Sequence, residues 1–333
     1  MRRRYKNLLR KKDIIKRRII FISILFCLTF IFATAHSAFS TSINFNTKGN
    51  IKELTAAHYL KTKVTSSGDG LYKDNYQKGK YVYKGIEPDN YLKLNNVLYR
   101  IIAIESDGTL KIIKNETIGA FPFDTTNTRN EGYCSYGNAF LYGCNAWAKT
   151  DNYQNYYSGA VEKDAYINTY LNNDYLNTLD KTYLSLHTYN IGPVTFAGSI
   201  LENTLQAEKQ ITWQSYIGLP NISDFLNSNT NPSCNTINKL QKNYQTCIKT
   251  NYLNFSNTTR LINPNSNFTH CVYVLFPAGN LYPGTNANNA YNICPIMFLK
   301  ENITLSGKGS REIPYEPHII SNQQVILLLI KKI

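Results

Sequence analysis

The sequence predicts an α+β fold: a curled antiparallel β-sheet with one or two helices and long loops, preceded by an N-terminal hydrophobic helix. Three observations support this fold class. An apolar run, residues 19–38, follows a block of cations near the N-terminus. Short strand-like runs separated by turn residues fill residues 80–114. A helical stripe over residues 161–179 stands out in a chain that is otherwise rich in loops.

The N-terminal segment has the organisation of an export signal. Residues 1–18 hold ten Lys or Arg and one acid, and residues 19–38 are mainly apolar. A basic region, an apolar region and small residues at Ala33, Ala35 and Ala38 are typical of a cleaved signal peptide. The run also approaches the ~20 residues that cross a bilayer, so an uncleaved signal anchor stays open. In either case we expect residues 19–38 to contact the membrane, with residues 1–18 in the cytoplasm.

The charge distribution argues against a nucleic-acid partner. The chain carries a formal charge of +14. Residues 1–18 contribute ten cations minus one acid, or +9, which leaves +5 for the remaining residues. The excess of positive charge therefore mainly indicates the membrane topology of the N-terminus, and it does not indicate a phosphate-binding surface. We expect a single-pass membrane protein with a cytoplasmic N-terminus, or a protein secreted to the cell surface.

Composition divides the rest of the chain into three parts. Residues 39–68 are predicted to form a linker with a short helix, which begins at a capping box of Asn50 and Glu53. Residues 69–317 form the predicted extracytoplasmic α+β domain. For the tail, residues 318–333, a final strand and a disordered segment both stay open, because its apolar run is too short to span a bilayer as a helix.

The clearest element is an antiparallel meander of three or four strands. Its strand-like runs are residues 80–86, 91–94, 96–105 and 109–114. The pair Asp107-Gly108 between two apolar runs is a strong hairpin signal, because such a turn requires positive φ. Residues 96–105 are apolar on both faces, which predicts a central strand covered on both sides.

Later elements are predicted from shorter patterns. Residues 161–179 form the best helix, and residues 212–219 contain a strand-like run. A short helix is expected near residues 221–227, with Asn221 or Ser223 as its cap. Two apolar runs, residues 271–277 and 293–299, are predicted to be buried strands. Pro295 predicts that the second is an edge or bulged strand.

Six cysteines follow the export segment in three local pairs. An even number of cysteines in an exported chain predicts disulfides. The shortest loops result from the pairings Cys134–Cys144, Cys234–Cys247 and Cys271–Cys294. Six cysteines allow about fifteen connectivities, and free thiols also stay open. None of the spacings is C-x-x-C, which leaves a zinc ribbon or a thioredoxin-type site unsupported.

No catalytic, cofactor-binding or metal-binding residue is predicted. The sequence lacks H-E-x-x-H, G-x-S-x-G, P-loop and G-x-G-x-x-G patterns. His270 and Cys271 are neighbours on a predicted strand, where they point to opposite faces and cannot act together. Glu87-Pro88-Asp89 has the composition of an ordinary turn.

A long stretch of the chain resembles a known family. The segment with the most specific similarity is DGLYKDNYQKGKYVYKGIEPDNYLKLNNVLYRIIAIESDGTLKIIKNETIG, residues 69–119. It is similar to the opening of a family of exported proteins of low-GC Gram-positive gut bacteria whose function is uncharacterised. Looser matches follow in order, and together they cover residues 37–317. The matching segments are residues 37–53, 167–179, 216–229 and 293–317. Tyr99 and Cys294 stand where the family usually has Trp and Arg.

The resemblance implies a fold similar to C-type-lectin-like domains of bacterial surface proteins. The favoured functional hypothesis is a non-enzymatic surface domain that binds a protein or glycan, without a cofactor. One alternative is a structural component of the envelope or of a surface appendage. A second is an extracellular hydrolase, which would require convergence of acids such as Glu105, Asp107 and Glu162.

Overall fold

The predicted meander is present, and its turn chemistry explains where its strands end. In the computed structural model, Val97–Ile104 and Leu110–Lys114 pair as an antiparallel hairpin. Gly108 adopts a φ of 91° at the turn, a conformation that glycine reaches without steric cost. The structure describes residues 54–125, 137–149, 161, 163–196, 200–237, 242 and 244–320. All of them belong to one compact unit, Leu54–Ile333.

The described elements are mostly short strands. The strands are β1 (Gly70–Lys73), β2 (Tyr81–Lys84), β3 (Tyr91–Leu94), β4 (Val97–Ile104), β5 (Leu110–Lys114), β6 (Ala120–Pro122), β7 (His187–Asn190), β8 (Thr212–Ser215), β9 (Ile217–Gly218), β10 (Thr259–Pro264), β11 (Cys271–Leu275), β12 (Leu281–Asn286), β13 (Ala290–Asn292), β14 (Ile296–Leu299), β15 (Ile303–Ser306) and β16 (Glu316–Ile319). The α-helices are α1 (Ala56–Lys61), α2 (Gly137–Tyr142), α3 (Tyr166–Tyr170), α4 (Leu201–Glu208), α5 (Ile222–Asn227) and α6 (Tyr244–Cys247). Single 3₁₀ turns lie at Lys181–Tyr183, Pro232–Cys234 and Ile248–Thr250.

The main sheet has seven strands in the order β1-β2-β4-β5-β14-β9, and β3 also pairs with β4. All of its pairings are antiparallel. From Tyr99 onward β4 is buried at every position, which confirms the prediction of a central, doubly covered strand. The prediction that Pro295 makes the late strand an edge or bulged strand was wrong, because β14 pairs on both sides without a shift of register. Pro295 precedes β14, so the strand itself keeps every N–H donor and pairs with β5 on one side and β9 on the other.

A second sheet has five strands in the order β12-β11-β10-β13-β6. Its pairings are antiparallel except for the single parallel pair of β10 with β13. Two ribbons, β7-β8 and β15-β16, complete the strand pairing of the described residues. The fold is therefore mixed α and β with mostly antiparallel sheets and few helices, as the sequence predicts at that level.

The predicted helices are present with different ends. Thr55 caps α1 by accepting the N–H of His58, whereas Asn50 and Glu53 lie outside the described residues. α1 buries Ala56, Ala57 and Leu60 in the same core as the sheets. At α5 the prediction of Asn221 as the cap is confirmed, and the Asn221 N–H donates to Asp224 Oδ2 at 2.9 Å.

The helix predicted over residues 161–179 begins at Tyr166 and changes character along its length. α3 continues as a π-helix over Leu171–Tyr175 and a 3₁₀ turn over Leu176–Thr178. The Asn172 side-chain amide donates to the carbonyl of Asn168, the acceptor that the backbone N–H of residue 172 uses in a regular α-helix. The same amide group exchanges two hydrogen bonds with the backbone of Ile217, which ties the helix to the main sheet.

Among the helices of the described residues, none is both long enough and apolar enough to cross a bilayer. The predicted n-region (1–18), the predicted export segment (19–38) and residues 321–333 of the tail lie outside the described residues.

Candidate functional site

One predicted disulfide is confirmed by the structure. Cys234 and Cys247 are bonded with a Cα–Cα distance of 5.7 Å, inside the usual range for a disulfide. Cys144 is also disulfide-bonded. The predicted pairing of Cys134 with Cys144 stays a prediction, because Cys134 lies outside the described residues.

The predicted disulfide between Cys271 and Cys294 is wrong, because both cysteines are free and buried. Cys271 opens β11 in the five-stranded sheet and faces Asn286 across the pairing. Cys294 follows β13 and lies near Lys114 of the main sheet, so the two thiols have different surroundings. Burial raises the pKa of both thiols, that of Cys294 to about 12, which keeps them protonated and unreactive at neutral pH.

Two of the acids considered for a hydrolase contact different basic residues. Glu105 forms an ion pair with Lys80 at 2.9 Å, and Asp107 lies 3.3 Å from His187. Glu162 lies outside the described residues. Glu105 and Asp107 thus each have a partner of their own.

The remaining predicted positions are placed as follows. His270 packs against Tyr142 and Phe268, whereas Cys271 is buried near Arg260. His270 lies in the turn before β11, so the prediction that the two are neighbours on a strand was wrong. No group of three or more His, Cys, Asp or Glu able to hold a metal ion occurs among the residues that the structure describes. The cleavage candidates Ala33, Ala35 and Ala38 lie outside them.

The structure contains a cavity of about 540 Å³ beside the main sheet. Three segments distant in sequence line it: the buried residue Arg100 of β4, residues 113–117 at the end of β5, and residues 252–257 before β10. Cys294 completes the lining. The volume lies within the range of small-molecule sites in proteins.

Arg100 is the central charged group of this cavity. Its Nε donates to Asn90 Oδ1 at 2.5 Å, and Asn90 Nδ2 donates in turn to the Ile101 carbonyl. Its guanidinium lies over the rings of Tyr91, at 3.8 Å, and Tyr252, at 4.9 Å. Only 6 % of Arg100 is exposed, and in the described part of the chain its Nη2 has no hydrogen-bond partner. Burial lowers the pKa of Arg100, but arginine remains a cation at neutral pH.

The rest of the lining is polar and carries few charges. Lys114 is half-buried and Glu116 is exposed. Phe255 and Tyr252 supply aromatic surfaces. Amide and hydroxyl side chains dominate the remaining positions, at Asn115, Thr117, Asn254, Ser256 and Asn257. Such a lining can form several hydrogen bonds to a polar ligand and pack against one of its apolar faces.

The sequence analysis missed this site, although one signal for it exists. Arg100 is the only charge within the apolar run VLYRIIAI. A charge at a strand position that is otherwise apolar on both faces must be paired or functional. The contribution of residues 252–257 has no local signature, because only the packing of distant segments brings them to Arg100.

Trp147, in the loop after α2, is fully buried. Its ring packs edge-on against Phe123 at 5.8 Å. It belongs to the core. The Asn- and Tyr-rich segment 151–157 lies outside the described residues.

Comparison with protein-family models, with curated proteins and with solved structures finds no match to this chain.

Proposed function

We propose that this chain is an exported surface protein, membrane-anchored or secreted, whose domain binds a glycan without catalysing a reaction. The observation that carries the proposal is the cavity of about 540 Å³ with its amide, hydroxyl and aromatic lining. Sugar hydroxyls both donate and accept hydrogen bonds, which matches amide and hydroxyl side chains. The apolar face of a sugar ring matches an aromatic side chain such as Phe255. The cysteine at the cavity, Cys294, is a protonated thiol and supplies no nucleophile.

Glycan binding is tested with the full chain purified in detergent, first on a glycan array and then by calorimetry. The double variant Asn254→Ala/Asn257→Ala removes two exposed amides from the lining. We expect it to weaken binding about tenfold or more. The matched control is Asn302→Ala, an exposed amide outside the lining, which should bind as the wild type does. A protein that binds no glycan, or a double variant that binds like the wild type, would overturn the proposal.

Export is tested separately by cell fractionation and mass spectrometry of the N-terminus. A membrane-bound chain that retains Met1 would identify an anchored protein. A chain in the medium that begins between His36 and Phe39 would identify a secreted one. Recovery of the intact chain from the cytosol would contradict both forms of the proposal.

A further inference from the structure

We propose that the cavity recognises a carboxylate, bound by the guanidinium of Arg100, and that its ligand is an acidic sugar of the hexuronic type. This inference rests on the proposed glycan-binding function and names the ligand class for the same cavity.

Arg100 lacks the carboxylate partner that two other largely buried cations of the described residues have. Lys111 lies 2.6 Å from the Asp224 carboxylate, and Lys80 lies 2.9 Å from that of Glu105. For Arg100, no carboxylate lies within ion-pair distance among the described residues. Glu87, which interacts with it at longer range, accepts instead from the Tyr91 hydroxyl at 2.7 Å. A buried cation without a carboxylate partner is costly, and a bound anion would reduce that cost.

Arg260 shows how this fold treats a buried arginine with a purely structural role. It too has no carboxylate partner in the described part of the protein, yet its two terminal nitrogens are occupied. Nη1 donates to the Thr285 hydroxyl at 2.6 Å, and Nη2 donates to the Asn289 carbonyl at 2.7 Å. Arg260 is not part of the cavity lining. Arg100 differs in that it lines the cavity. Each of the two arginines leaves one buried nitrogen without a partner among the described residues, Nη2 in Arg100 and Nε in Arg260.

The guanidinium of Arg100 is also held in place before a ligand arrives. The hydrogen bond from Nε to Asn90 fixes one edge of the group, and the rings of Tyr91 and Tyr252 restrict its plane. A guanidinium held in this way loses little entropy when it binds a carboxylate.

The net charge of the cavity lining favours an anionic ligand. Arg100 and Lys114 contribute two positive charges and Glu116 one negative charge, which leaves one positive charge for a ligand to balance. A sugar with one carboxylate satisfies this balance. Its hydroxyls would bond to the amide groups of the lining, such as those of Asn254 and Asn257.

The experiment measures binding to the full chain by calorimetry with four probes. Glucuronic acid is the acidic sugar, and its methyl ester has the same shape without the charge. Glucose is the neutral sugar, and N-acetylalanine offers a carboxylate of the peptide type without a sugar ring. We expect glucuronic acid to bind about tenfold or more tightly than its methyl ester and than N-acetylalanine.

Two variants connect this preference to the cavity. Arg100→Lys keeps the charge and removes the guanidinium that Asn90 and the two tyrosine rings hold in place, so the preference for the acid over the ester should fall. Because Arg100 is buried, the thermal unfolding and the glucose binding of the Arg100→Lys variant are measured to confirm an intact cavity. Lys114→Gln lies at a half-buried position and should reduce the preference without affecting the core. Lys308→Gln, an exposed lysine outside the lining, should leave the preference unchanged.

The outcomes separate the two proposals. Equal binding of the acid and the ester would overturn carboxylate recognition and leave glycan binding intact. Equal binding of N-acetylalanine and glucuronic acid, with loss of both in Arg100→Lys, would support the carboxylate and overturn the sugar. Binding of none of the four probes would count against this inference, whereas the glycan array tests the proposed function independently.

Discussion

The carboxyl group of Glu208, at the end of α4, is completely buried. It accepts hydrogen bonds from the backbone N–H of Ser223 at 3.0 Å and from the Ser223 hydroxyl at 2.5 Å. Burial raises the pKa of this carboxyl to about 7, against the lowering effect of the two bonds from Ser223. The Asp224 carboxylate adds to the rise and the Lys111 ammonium opposes it. Glu208 therefore holds its proton in the folded state at pH values below about 7.

The first prediction is that folding stability decreases with pH because of Glu208. Between its ordinary pKa of 4.5 and about 7, the folded state binds more protons than the unfolded state, so the free energy of unfolding falls as the pH rises. The difference in pKa corresponds to about 3 kcal/mol. Glu208→Gln mimics the protonated carboxyl. Between pH 5 and pH 8 the wild type should therefore lose about 3 kcal/mol more stability than this variant.

Urea unfolding at pH 5 and pH 8 measures this difference. Glu202→Gln changes an exposed carboxyl on the same helix and serves as the matched control. The prediction fails if Glu208→Gln shows the same pH dependence as the wild type.

A second prediction at the residue scale concerns the ion pair of Lys111 and Asp224, whose side chains are both more than nine-tenths buried. Lys111→Met leaves the Asp224 carboxylate buried without its cation, which should cost about 3–5 kcal/mol. The double variant Lys111→Met/Asp224→Asn removes both charges and should recover part of that loss. Lys308→Met, at an exposed position, should change stability by less than about 0.5 kcal/mol. A loss below about 1 kcal/mol in Lys111→Met would contradict the prediction.

At the scale of elements, the hairpin of β4 and β5 depends on its turn. Asp107 Oδ1 accepts both the backbone N–H and the hydroxyl of Thr109, at 2.9 and 2.7 Å. Gly108 follows with a φ of 91°. The turn therefore joins side-chain hydrogen bonds to a backbone conformation that favours glycine, and it sets the register of two central strands.

We predict that Gly108→Ala destabilises the protein by about 1–2 kcal/mol through this backbone conformation. An added Cβ would meet only ordinary contacts, 3.6 Å from Glu301 and 3.8 Å from Ala57, so overlap is not the cause. Ser106→Ala, at an exposed position of the same turn, is the control and should be nearly neutral. Equal stabilities of the two variants in thermal unfolding would refute the assignment of strain to residue 108.

At the scale of the whole molecule, the described cysteines fall into two chemical classes. Cys234 and Cys247 close a loop with a sequence separation of 13, and both are completely buried. Cys271 and Cys294 are free and buried. An exported chain can keep free thiols where burial protects them from oxidation and exchange.

Differential alkylation with mass spectrometry distinguishes the two classes. We predict that Cys271 and Cys294 are alkylated only after unfolding, and Cys234 and Cys247 only after unfolding and reduction. Replacing both Cys234 and Cys247 with serine should cost about 3 kcal/mol, because the unfolded chain regains the freedom of the open loop. Alkylation of Cys234 without reduction, or a disulfide peptide that joins Cys271 to Cys294, would contradict this assignment.

The sequence by itself determined several local elements, although the ends of the helices differ from those predicted. Apolar runs and the Asp107-Gly108 turn specify the hairpin, and Asn221 specifies the start of α5, because these structures depend on residues only a few positions apart. The pairing of Cys234 with Cys247 was predictable for the same reason, since a short loop brings the two together.

Only the tertiary structure decided the position of β14 between β5 and β9, the separation of Cys271 from Cys294, and the cavity around Arg100. Each of these features joins segments that are far apart in sequence. Arg100 and Tyr252, for example, come from β4 and from the segment before β10, and their contact results from how the sheets and loops pack. Periodicity and turn chemistry report which face of an element is buried, but they do not report which distant residue covers it.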